Sequence, residues 1–256
     1  MTTAAATRRH GSTHRRTERA QRILEAARDL VLRWGYDKTT IDDVARRAGV
    51  AKGTIYLHWS SREDLFAALL RWDRAEMVDA VRSELHADPA SATLPGLFAH
   101  LVRQIHRRPL LRAVLAQDSE VLGKLLQRKQ SGRAAPQAIE SFRTYLATLR
   151  EHGMVRDDLS AEDHLTVLST ILCGSLASAR LLPPGLRVSD DREGELLGDT
   201  VARVVATGRT PSDAALAAGA TATREYVDRV HEIARAKLRE SLGGDLAPDE
   251  GRPRAH

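Results

Sequence analysis

The chain has 256 residues, 39 Lys+Arg against 34 Asp+Glu, and a formal net charge of +5, enough length for one or two domains with a sizeable core. Its single cysteine, Cys173, excludes an intramolecular disulfide and a zinc site of clustered thiolates, and suits a reducing cytoplasm. No N-terminal h-region and no apolar run near the roughly 20 residues that span a bilayer are present, so a soluble cytoplasmic protein with no membrane partner is expected. The charge is uneven. Residues 1–60 hold 12 Lys+Arg and 6 Asp+Glu, a net of +6, which leaves −1 for residues 61–256. Such confinement of positive charge is what binding to phosphate requires.

Residues 1–16 lack apolar periodicity and are expected to be a disordered basic arm. Its Arg8, Arg9, Arg15 and Arg16 either reach phosphates or a minor groove, or remain solvated. A first helix follows over about 17–34, with Ile23, Ala27, Leu30, Val31 and Trp34 as its apolar stripe and Gly35 as its stop. Thr40 then reads as an N-cap with Asp43 three residues on. Ile41, Val44, Ala45 and Ala48 recur at helical spacing before Gly49. A third helix starts at about Ala51, where Ile55 and Trp59 share a buried face. Lys52, Tyr56 and His58 point elsewhere, and Gly53 offers no side chain. A short helix exposing small, basic and aromatic groups suits a DNA major groove.

The segment from about Thr17 to Met77 resembles the DNA-binding domain of the TetR family of bacterial transcriptional repressors. The likeness is carried by AARDLVLRWG (Ala26–Gly35), TTIDDVARRAGVAKGTIYLHW (Thr39–Trp59) and the following SSREDLFAALL. It implies a helix-turn-helix domain over 17–60. Thr40 would bind phosphate, Lys52 and Thr54 would approach base edges, and Gly53 would permit close approach. Tyr56 and His58 would hold phosphates. His58 replaces a more usual aromatic, and Ala51 and Ser60 stand where the family often has Ser or Thr and Lys, so two candidate contacts drop out of the implied set.

Residues 61–242 read as helical, giving an all-α fold: a three-helix head and a larger effector-binding and dimerisation domain. A fourth helix, from Ser61 to about Leu85, is long enough to tie the two together; in the family it is the lever. Asp88-Pro89 and Pro95-Gly96 break the pattern. Helices five and six are expected at about 97–107 and 110–117, and a seventh at 120–152, kinked near Gly132 and Pro136. Helices over 161–182 and 191–207 carry small residues and apolar stripes, and the resemblance makes them the homodimer interface. A tenth helix, about 212–242, packs either on the dimer surface or over the pocket, and 243–256 is expected to be disordered.

The sequence shows no phosphate-cradling glycine loop, nucleophile elbow or HExxH, so no enzymatic activity, cofactor or metal is expected. Of the ten histidines only His10 and His14 stand four apart, within the arm. Cys173, amid Ile171, Leu172 and Leu176, is expected to be buried. The resemblance implies a small-molecule pocket, for which Trp72, Phe98, Leu101, Ile105, Phe142, Tyr145, Leu149 and Leu172 are the candidates. The expected function is a dimeric repressor on a palindromic double-stranded DNA operator, released by an effector. A regulator without an effector, acting as an activator or through a protein partner, and an enzyme with a DNA-localising head are the alternatives.

Overall fold

The computed structural model describes residues 3–116 and 136–242. Ten α-helices lie among the described residues, and no strand. The head comprises α1 (Thr3–Trp34), α2 (Ile41–Ala48) and α3 (Lys52–Tyr56). Helix α4 (Arg62–Ala87) leads into a body of α5 (Leu94–His106), α6 (Pro109–Leu115), α7 (Pro136–Glu151), α8 (Ala161–Leu181), α9 (Asp190–Val205) and α10 (Asp213–Ser241). Among the described residues no helix is long and apolar enough to cross a membrane.

Local chemistry sets most boundaries. Ser61, Ser160, Ser189 and Ser212 each cap a helix by accepting from a backbone N–H three residues on. Ser160 with Asp163 forms a reciprocal capping box. Helix α5 begins at Leu94, earlier than expected. Thr93 caps it through the Gly96 N–H at 3.1 Å, and Pro95 occupies the first turn, where no N–H is needed. The expected break at Pro95-Gly96 is thus a helix start.

The expectation of an unstructured arm over 1–16 is also corrected. Helix α1 is already formed at Thr3, in a stretch rich in Ala and Arg with no proline to stop it. The tail 243–256 and most of the anticipated kink lie outside the described residues, while Pro136 itself opens α7.

The head core joins Ile23, Leu24, Ala27 and Val31 to Val44, Ile55 and Trp59, all buried. Trp34, expected on the same stripe, is the last residue of α1 and is 41% exposed. In the body α4 is central, packed against α5 and along α10. Glu84 links α4 to α5 by accepting from Gln104 at 2.5 Å and meeting His100 Nδ1 at 2.6 Å. A row of ion pairs joins α4 to α10: Arg82–Asp228 at 2.5 Å, His231–Asp79 at 3.0 Å and Arg235–Glu76 at 3.2 Å. These pairs are partly exposed, so they register the two helices more than they stabilise them.

Helix α9 lies on α5 through Gly194 and Gly198, one turn apart. A Cβ at Gly194 would meet the Ala99 carbonyl at 3.1 Å, and one at Gly198 the Pro95 carbonyl at 3.3 Å. Leu197, Val201 and Val205 are buried on that side, whereas Leu196, expected with them, faces out. Helix α8 presents Thr166, Thr170, Cys173, Ala177 and Leu181 to solvent in the protomer. Cys173 is therefore exposed rather than buried, because it lies on the outer face of α8.

One buried polar contact fastens α7 to α10. Thr223 Oγ1 donates to the Gly219 carbonyl at 2.8 Å, so the Tyr145 hydroxyl, 2.9 Å away, is the donor to Thr223. Tyr145→Phe is expected to lower unfolding free energy by about 1 kcal/mol, read as a lower urea midpoint with unchanged slope.

Candidate nucleic-acid interface and internal cavity

The reading head is built by two caps and a turn. Thr40 accepts from the Asp43 N–H at 3.2 Å, and its own hydroxyl donates to Asp43 Oδ2 at 2.6 Å. That hydroxyl bond, with smaller help from the Thr40 backbone N–H and Arg46, holds the Asp43 carboxyl below its ordinary range against the opposing effect of desolvation. Helix α2 ends at Gly49, whose φ of 65° is the left-handed conformation a side chain resists. The Val50 N–H then returns to the Ala45 carbonyl at 3.0 Å, fixing the angle at which α3 leaves.

Helix α3 is short, ending at Tyr56 rather than near Trp59. Ile55 is fully buried, and the Trp59 indole closes the core behind it. Lys52, Gly53 and Tyr56 are exposed on one side, in the i, i+1, i+4 relation that shares a helix face. Gly53 has nothing within 4 Å of where a Cβ would stand. The packing around it therefore places no demand for glycine there. Thr54 is half-buried. Lys52 Nζ lies 2.9 Å from Asp42, which raises its pKa, first by hydrogen bonding and then by charge.

His58 is set differently from the others. It is half-buried, its Nδ1 has no hydrogen-bond partner among the described residues, and its ring lies 5.2 Å from that of Trp59. Burial lowers its pKa, and Arg16 and Arg19 lower it further. Two features of this surface escaped sequence reasoning. Leu57, after α3, is 74% exposed. Arg62, at the start of α4, donates to the Thr39 carbonyl at 2.9 Å and to the Tyr36 carbonyl, while its guanidinium lies 4.0 Å from the Tyr36 ring centroid.

Below the head, a cavity of about 840 Å³ lies among α4, α5, α6, α7, α8 and α10. Phe98, Leu101, Ile105, Phe142 and Leu172 line it, as expected from their positions. Trp72, Tyr145 and Leu149 do not. Trp72 turns toward α1, where Arg28 lies 5.0 Å from its ring. Tyr145 is held by Thr223, and Leu149 packs near Gly219. Residues not anticipated complete the wall: Leu70, Arg74, Val78 and Val81 of α4, and Tyr226, Val227 and Val230 of α10. Helix α10 thus covers the cavity. Its far end reaches the head, where the Trp59 indole N–H donates to the Ser241 carbonyl at 2.9 Å. Among the described residues no cluster of three metal-ligating side chains occurs.

A helix-turn-helix head with a solvent-facing third helix, joined by one long helix to an all-α body enclosing a cavity, is the architecture of a DNA-binding transcriptional regulator. The model of bacterial regulatory proteins, tetR family, matches residues 23–69. The chain is 26% identical over 169 residues to the HTH-type transcriptional repressor AcnR of Corynebacterium glutamicum, covering 63% of this chain and 81% of that protein. It is 26% identical over 177 residues to the HTH-type transcriptional regulator AcrR of Shigella flexneri, covering 65% and 80%. The solved structure of the fatty acid degradation regulator FadR from Bacillus halodurans superposes with a TM-score of 0.54 at 19% identity, over 71% of this chain and 97% of that one. Residues 23–69 are thus a DNA-binding domain of the TetR family of bacterial transcriptional regulators.

His58 makes the head sensitive to pH. Its pKa lies below the ordinary 6.5 in the folded state, so the unfolded chain binds more protons between the two values. The neutral ring's contribution is present above about 6.5 and is lost as pH falls toward the folded value. Thermal melts of wild type and His58→Phe from pH 7.5 to 5.5 should show the wild type losing more Tm.

Proposed function

We propose that the protein is a dimeric repressor that occupies a palindromic operator and leaves it when a small molecule fills the cavity. The observation that carries this is the double membership of α4. Its first turn holds the head through Arg62, and its middle, Leu70 to Val81, forms cavity wall. A 26-residue helix is a rod of roughly 39 Å, so a ligand that displaces its middle also displaces its end. Release requires the effector to bind the DNA-incompetent arrangement more tightly; affinity alone shifts nothing.

On this reading Lys52, Thr54 and Gly53 meet base edges, and Thr40, Tyr56 and His58 meet the backbone. Lys52 exchanges Asp42 for its DNA partner, a cheap exchange because both groups are solvent-exposed. The dimer forms through α8 and α9. The exposed α8 stripe of small residues, with Gly174 beside it, admits a close second helix, and Leu181, Leu186, Val188 and Leu196 add apolar surface to the same region. Two heads related by a twofold axis read half-sites one DNA turn or a multiple apart.

Fluorescence anisotropy with the promoter region beside the protein's own gene, against a scrambled duplex, tests this at two salt concentrations. Wild type should prefer the promoter duplex by roughly 10³-fold or more. Tyr56→Ala should weaken it about tenfold or more through loss of a charge-assisted contact in each half-site. Equal affinity for both duplexes sends the search to unbiased site selection, and no binding at low salt refutes the interface. In sedimentation, Ala177→Glu on the α8 stripe should convert the dimer to monomer and abolish operator binding with it.

A further inference from the structure

The cavity wall is apolar apart from three side chains, Arg74, Ser169 and Tyr226. Arg74 shares one face of α4 with Leu70, Met77, Val78 and Val81, which all line the space. Tyr226 faces it from α10 and stacks on Tyr145 at 4.9 Å. Burial pushes the Tyr226 phenol up to about 12, so it remains a donor at every working pH, and the field of Arg74 opposes that push. The guanidinium and the hydroxyl are thus two of the few polar groups on the cavity wall.

Neither has a hydrogen-bond or ion-pair partner among the described residues; Arg74 is solvent-exposed and Tyr226 half-buried, which puts them where the cavity opens. Around them the other charges are taken: Arg82 pairs with Asp228, Arg235 with Glu76 and Asp79, and Arg108 with Gln104 and the Glu76 carbonyl. A guanidinium stays charged throughout the working range and presents a planar fork of donors. Among the described residues no acid meets it, so at the rim of an apolar space it is free to receive an anion. The remaining wall is aliphatic with Phe98 and Phe142, and supplies almost nothing to satisfy the hydroxyls of a sugar or the edges of a base. A volume of about 840 Å³ is within the range of small-molecule sites.

We infer that the cavity takes an amphipathic carboxylate, an alkyl-chain acid whose carboxylate meets Arg74 and the Tyr226 hydroxyl while its chain lies among Phe98, Leu101, Ile105 and Leu172. This rests on the proposed effector role of the cavity and gives that effector a chemical class. The carboxylate accepts from two donors, and the chain leaves water for a surface that asks for no hydrogen bond.

Isothermal titration of the full chain with dodecanoate and with dodecan-1-ol, both below their aggregation limits, tests the inference. Wild type should bind one dodecanoate per chain and prefer it to the alcohol by about tenfold to a hundredfold, the range for a charge-assisted contact. Arg74→Gln should abolish the preference while retaining the alcohol, which shows an intact cavity. Tyr226→Phe should reduce the preference by a smaller factor. Leu101→Trp, which fills the space, should remove both ligands. Equal binding of acid and alcohol by wild type, a preference that survives Arg74→Gln, or no binding of either overturns the inference. Operator binding by anisotropy on the same preparations is independent of these outcomes, so a failed ligand class and a failed regulator reading are told apart.

Discussion

Arg62 holds the junction on which everything else depends. The loop between α1 and α2 presents the Tyr36 and Thr39 carbonyls inward, and a buried carbonyl without a donor is costly. Arg62 supplies donors to both and lays its guanidinium over Tyr36, with Phe66 completing an edge-on aromatic contact at 4.9 Å. Because Arg62 is the first residue of α4, that helix is fastened to the head by charge-assisted bonds at its very end. A softer link would let α4 move while the head stayed still.

Cations on the head surface are paired with acids of the same domain. Lys52 is met by Asp42, Arg46 by Asp43 and Arg47 by Asp29, all in exposed pairs. In high dielectric such pairs are worth little, so phosphate can replace the acids at small cost. The same acids disfavour casual contact with other anions. In the proposed dimer, affinity for DNA would rest on simultaneous contacts by two heads, which would tie function to the α8–α9 face.

The head was legible in the sequence because its determinants are local. Thr40 with Asp43, Gly49, and the Ile55–Trp59 spacing each fix a neighbour within five residues. The body was legible in its helices but less so in its faces. Helix α4 is buried on more than one side, so its apolar pattern does not reveal which side borders the cavity; Trp72 turned to α1, while Arg74 faced the space. Cys173 and Leu196 looked like core because their sequence neighbours are apolar, yet both lie on outward faces of their helices. The close approach at Gly194 and Gly198 depends on α5, about one hundred residues earlier, and no local pattern encodes such a partner.

The bond from Trp59 to the Ser241 carbonyl joins residues 182 positions apart. A ribosome adding about 5–20 residues per second makes Trp59 roughly 10–40 s before Ser241 exists. During that interval the nascent head can fold around Ile23, Leu24 and Ile55, but its indole N–H waits for the end of the chain. The head is thus completed last although it is made first, and a chain cut short before α10 ends would carry a reading head whose final fastening is missing.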